Sequence, residues 1–172
     1  MRRLSLTKRK WLLILHLLFS AIMLGVSIVF LILSITAANT NDVNVLKACY
    51  SSMHVLAKTS IRASTIGTVI TGILLSVLTQ WGLFKFYWII VKEWLTLLSL
   101  ILGPFAMYSL TLKAVTLTAN NGVNVLFDPA FTVNKWQLWC GIILQIISLV
   151  SMFVISVFKP LGERKKKEMK IA

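Results

Sequence analysis

The sequence predicts an all-α membrane protein, a bundle of four transmembrane helices, from three observations. Of its 172 residues 58% are hydrophobic and only 13% charged, where soluble domains hold roughly 45–50% and about 25%. Uncharged stretches long enough to cross the hydrocarbon, which takes about 20 residues, recur along the chain. The 18 Lys and Arg, set against 5 Asp and Glu for a net charge of +13, gather at the ends of these stretches rather than covering a surface. An ordinary soluble enzyme is excluded on these grounds, and one transmembrane domain over residues 1–172 is expected.

No charge occurs between Lys10 and Asp42, so residues 11–38 form the first span. Its basic start and Thr36-Ala37-Ala38 also resemble a cleavable signal. The apolar run is about twice a signal's usual core, which favours an uncleaved helix. The second span covers residues 61–84, bounded by Arg62 and Lys85, and the third residues 86–112, with Lys92 and Glu93 in an early turn and Pro104 placed to bend it. The fourth covers residues 136–158 and is closed by Lys159-Pro160.

Between the first two spans, residues 43–61 lack Gly and Pro, and Val45, Leu46, Tyr50, Met53, Leu56 and Ala57 recur at helical spacing. This predicts an amphipathic extension of the second helix, starting at Asn41-Asp42. Between spans three and four, Val115-Thr116-Leu117-Thr118 and Val123-Asn124-Val125-Leu126 flank Asn120-Asn121-Gly122. Asn-Gly suits a type I′ turn, so a short β-hairpin is expected there, with an ordered loop ending at Asp128-Pro129 as the alternative.

Four spans put both termini on one side. That side receives Arg2, Arg3, Lys8, Arg9, Lys10, Lys85, Lys92, Lys159, Arg164, Lys165, Lys166, Lys167 and Lys170, and the other only Lys47, Lys58, Arg62, Lys113 and Lys135. Basic flanks stay in the cytoplasm, so cytoplasmic termini are expected. Trp11, Trp81, Trp88 and Trp94 then mark the inner interface and Trp136 and Trp139 the outer one. The basic tails, residues 1–10 and 159–172, read as topology determinants and solvated tails that can also attract anionic lipid headgroups. Without a basic-aromatic module outside the spans, nucleic acid is not an expected partner.

Helices within a bilayer associate through small residues and hydrogen bonds. Each span carries one such face: His16, Ser20, Met23 and Ser27 beside Ala21 and Gly25; Ser60, Ser64, Thr68, Gly72 and Ser76 beside Gly67 and Thr71; Lys92, Thr96, Ser99 and Gly103; Gly141, Gln145, Ser148 and Met152. Packing is their first role. An ionisable group inside a span costs about 2.5–3.5 kcal/mol when central, so His16 and Lys92 are the candidate binding residues, with Glu93 at the edge of their face. Bland alternatives are that Lys92 snorkels, that Glu93 pairs with Lys85 or Lys92, and that His16 bonds a hydroxyl such as that of Ser20. His54 reads as solvated, on the opposite leaflet. Cys49 and Cys140 could form one disulfide, but Cys140 lies within a span. There is no C-x-x-C, no acidic residue mid-span, no phosphate loop, no H-E-x-x-H and no carboxylate pair. Hydrolytic and phosphoryl-transfer chemistry are therefore not expected, and no metal site is read.

Three stretches carry a resemblance: Leu15-His16-Leu17-Leu18-Phe19 with Ala21 and Gly25, Gly67 with Gly72, and the run from Trp81-Gly82-Leu83-Phe84-Lys85 through Trp88 to Lys92-Glu93-Trp94. Over residues 11–112 the chain resembles an uncharacterised family of bacterial four-helix integral membrane proteins, a domain of unknown function. More remotely it resembles HemJ-type protoporphyrinogen oxidases and CopD-type copper-resistance membrane proteins, although it has no His in its third or fourth span. The resemblance implies the bacterial cytoplasmic membrane, His16 as a haem ligand and Lys92 as the matching basic residue.

Three function classes follow: a multi-pass protein, more readily non-enzymatic, whose faces pack against its own or partner helices; a membrane haem or redox protein using His16; and a small-solute or ion pathway formed by a homo-oligomer.

Overall fold

A computed structural model of the chain describes residues 5–78 and 86–160. Arg2, Arg3, Trp81, Lys85 and the tail residues Arg164, Lys165, Lys166, Lys167 and Lys170 lie outside them. Four long helices are apolar enough to cross a membrane: Leu6–Ala38, Val43–Leu78, Tyr87–Asn121 and Pro129–Phe158. The first is α1 (Leu6–Ala38), which starts where the Ser5 hydroxyl accepts from the Lys8 amide. The second comprises α2 (Val43–Leu56), a π-helical segment (Ala57–Ile61) and α3 (Arg62–Leu78). Its start is fixed by the Asp42 carboxylate, which accepts from the Asn44 amide at 2.8 Å. The amphipathic extension is thus continuous with the second helix.

The third long helix comprises α4 (Tyr87–Leu102), a second π-helical segment (Gly103–Ser109) and α5 (Leu110–Asn121). Pro104 has no N–H to give to the helical ladder, and the wider turn absorbs the lost rung. Gly122, at φ +52°, ends α5, and a 3₁₀ turn (Gly122–Phe127) leads to α6 (Pro129–Phe158). Asp128 holds this junction by accepting from the Ala130 amide at 2.8 Å and from Asn121 Nδ2 at 2.7 Å.

The hairpin is therefore replaced by helix. Thr111, Thr116 and Thr118 return their hydroxyls to carbonyls three or four residues back, which lets β-branched residues sit in α5. Ala114 and Thr118 are buried there. Asn121-Gly122 serves as a helix C-terminus, where the left-handed glycine conformation is as welcome as in a turn.

The long helices run antiparallel in two ladders, along which one residue number falls as the other rises. Between α1 and the second helix the rungs are His16–Thr71, Phe19–Gly67, Met23–Thr65 and Ser34–Met53. Between the third helix and α6 they are Lys92–Ser156, Thr96–Met152, Ser99–Ser148, Ala106–Gly141 and Leu110–Asn134. Each ladder thus uses the small and polar faces legible in the sequence. In three rungs a hydroxyl lies 3.5 Å from a methionine sulfur, and Ser34 and Thr65 donate to it.

The two ends of the bundle differ. At the end holding the α1–α2 and α5–α6 connections, the loop end, all four long helices close around an apolar core that includes Phe30, Leu46, Tyr50, Met53, Met107, Phe131 and Leu138. Tyr50 and Phe131 meet edge-on at 5.5 Å. At the end that carries the termini, the tail end, α1 packs on α3 and α4 on α6, while α3 and α4 scarcely touch. The exposed residues of α2 and the following turn include Asn44, Lys47, Ser52, Lys58 and Thr59, and those of α3 Ile66, Ile70, Ile73, Leu74 and Val77. The loop-end core thus closes that end of the bundle as a cap.

Candidate polar site in the tail half

α1 and α4 are not packed neighbours, yet both turn their ionisable residue inward. The two candidate residues thus sit on opposite ladders, His16 against α3 and Lys92 against α6.

His16 is held by α3. Its Nδ1 lies 2.9 Å from Thr71 Oγ1. That oxygen is 2.6 Å from the Gly67 carbonyl and 3.2 Å from that of Thr68, so its single hydrogen is used within α3. It can only accept from His16. The neutral ring therefore carries its hydrogen on Nδ1. Gly72 seats the ring: a Cβ there would stand 3.3 Å from His16 Cε1. Ser20 bonds the His16 carbonyl, not its ring.

Lys92 is held by α6. Its Nζ donates to Ser156 Oγ at 2.7 Å and lies 5.7 Å from the centre of the Trp88 ring. Ser156 sends its own hydrogen to the Met152 carbonyl at 2.7 Å. Lys92 thus points into the bundle rather than along it to the headgroups, and neither described partner is an anion. Of the three hydrogens on its ammonium, one is placed on Ser156.

Glu93 does not join the pair. It faces outward with Ile90, Trp94 and Leu97, lining a cleft of about 220 Å³, and its Oε1 is enclosed without a hydrogen-bond partner. His54 is not simply solvated: its Nδ1 meets Thr111 Oγ1 at 3.2 Å, and its ring lies 5.1 Å from that of Tyr108. Arg62 stands over the same Tyr108 ring at 5.6 Å. Thr111 also donates to a carbonyl of its own helix, that of Met107, so His54 repeats the His16 arrangement. Cys49 is buried and Cys140 exposed, and both are free thiols.

Higher in the α4–α6 ladder Ser99 donates to Ser148, which itself donates to the Leu95 carbonyl at 3.2 Å. Gln145, 2% exposed, keeps Oε1 unsatisfied. Ser156 continues the Gln145, Ser148 and Met152 face by one more step of four. That signal was open to sequence reading, whereas the pairing of Tyr108 and Thr111 with His54 depends on the π turns and carried none.

Nothing in this arrangement indicates a haem on His16. The ring is wedged against Gly72 and Thr71, and the larger described cleft, about 490 Å³, lies elsewhere, between α6 and the α4 end around Leu102, Ala106, Trp136 and Cys140. His54 belongs to the other half of the bundle. Among the described residues no three His, Cys, Asp or Glu side chains gather as a metal site.

A family model described as a predicted integral membrane protein (DUF2269) matches residues 10–160. Neither the curated proteins nor the solved structures contain a match to the chain.

Proposed function

Because the chain belongs to the DUF2269 family of predicted integral membrane proteins, we propose that it is a membrane-embedded binding protein whose tail half receives a small anionic group between His16 and Lys92. The loop-end cap is its structural base. Both termini lie in the cytoplasm, their basic residues against anionic headgroups, so the site opens from the cytoplasmic half of the membrane.

One observation carries this reading: a lysine within a span whose described partners are a hydroxyl and an aromatic ring. A cation there costs about 2.5–3.5 kcal/mol at the membrane centre and less near its ends. An anion offsets that cost more fully than Ser156 does, because it adds the Coulombic attraction of an opposite charge to the hydrogen bond.

Thermal unfolding in detergent tests the proposal. A ligand that binds the folded state stabilises it by mass action, by about 2.7 kcal/mol at one hundred times its Kd. Inorganic phosphate should raise Tm in the parent chain and leave Lys92→Met unmoved, with chloride at equal ionic strength as the control for screening. Equal shifts in both proteins would sink the proposal.

A further inference from the structure

Among the described residues Glu93 is the one acidic side chain inside a span, and no described group pairs with it. Its Oε1 is enclosed without a hydrogen-bond partner, beside a cleft of about 220 Å³ that Glu93 lines with Ile90, Trp94 and Leu97. Lys92, the next residue back, directs its ammonium to Ser156 of α6 and lies beside the Trp88 ring. A buried acceptor left unpaired is costly, and more so when charged. The chemistry that completes this one is a cation bearing N–H donors.

The walls of the cleft define the rest of that partner. Trp94, Leu97, Ile101 and Phe105 are all exposed. They follow Ile90 at steps of three or four residues, so they form one apolar strip along α4, running from the cleft toward the loop end. In a bilayer such a strip faces acyl chains, and an exposed tryptophan stands at headgroup level. The carboxylate is thus placed where headgroups lie, and the strip continues deeper into the membrane.

We propose that this face seats a phospholipid with a primary-ammonium headgroup, of the ethanolamine class. Its ammonium donates to Glu93 Oε1 beside Trp94, and an acyl chain lies along Leu97, Ile101 and Phe105. The anion site turns toward α6, so neither reading depends on the other. A choline headgroup has the same charges, but methyl groups replace the three ammonium hydrogens. It can neither donate to an enclosed oxygen nor approach it as closely.

The experiment titrates the full chain in detergent with phosphatidylethanolamine and with phosphatidylcholine of the same short chains. Affinity is read by native mass spectrometry, and the place of binding by the ¹³C carboxyl signal of Glu93. The ethanolamine lipid should bind about tenfold more tightly, the difference expected for one hydrogen bond to a charged group, and should move that signal. In Glu93→Leu, which removes charge and acceptor together, the two lipids should bind alike. Should that variant fail to fold, Glu93→Gln, which keeps only a neutral acceptor, should lower the preference.

Equal affinity of the parent for both lipids would overturn the proposal, as would a Glu93 signal that neither lipid moves. A preference unchanged in either folded variant would refute the role of Glu93. A dimer that keeps lipid off Glu93 would assign the face to a second copy of the chain instead.

Discussion

The hydroxyl of Thr71 sits 2.9 Å from His16 Nδ1 and donates its hydrogen to the Gly67 carbonyl, so a side chain on α3 decides which nitrogen of a ring on α1 bears the proton. A threonine in this position is more than packing, because a buried group with one hydrogen already committed can only accept.

Thr71→Val should therefore change the tautomer as well as the stability. The loss of one hydrogen bond costs about 1 kcal/mol, measurable by thermal unfolding. In ¹⁵N spectra the parent should show His16 with its proton on Nδ1, and the variant a mixture of both forms. An unchanged single tautomer would show that Thr71 does not set it.

Gly67 is the tighter of the two glycine contacts in the α1–α3 ladder, where a Cβ would meet the Phe19 ring at 2.6 Å. Gly67→Ala should destabilise by about 1–3 kcal/mol, the usual cost of overpacking. Phe19→Leu in the same background should return part of it, giving a coupling above about 0.5 kcal/mol in a double-mutant cycle. Strict additivity would place the clash elsewhere.

Gln145 and Asn134 are both almost fully buried in α6, each with an unsatisfied side-chain oxygen. They should respond oppositely. Asn134 Nδ2 donates to the Leu110 carbonyl at 2.9 Å, just past the second π turn, so Asn134→Leu strands a backbone acceptor at about 1–3 kcal/mol. Gln145 makes no described bond that Met would forfeit, and Gln145→Met should leave Tm unchanged or raise it.

Reporter fusions or introduced cysteines at the two termini should give the same cytoplasmic readout, and labels on Lys47→Cys and Lys113→Cys the opposite one. A split result at the termini would remove one span.

The number of helices and the faces they bury were legible because a bilayer demands long uncharged runs and small or polar contacts, and both are written locally. His16 and Lys92 stood out for the same reason, as ionisable groups inside such runs. The fate of residues 113–127 was not. β-branched residues around Asn-Gly fit strand and helix alike until burial of Ala114 and Thr118 decides between them. The π turns were likewise hidden apart from Pro104, and with them the meeting of His54, Thr111 and Tyr108.

The two π-helical segments touch one another, so the interruptions of the second and third long helices lie side by side. α3 is 17 residues long, roughly 25 Å at 1.5 Å per residue, so a deflection of about 5° at its root swings its tip by about 2 Å. Small flexing at these paired turns would be magnified by the lever arm of α3 into a much larger displacement at its far end.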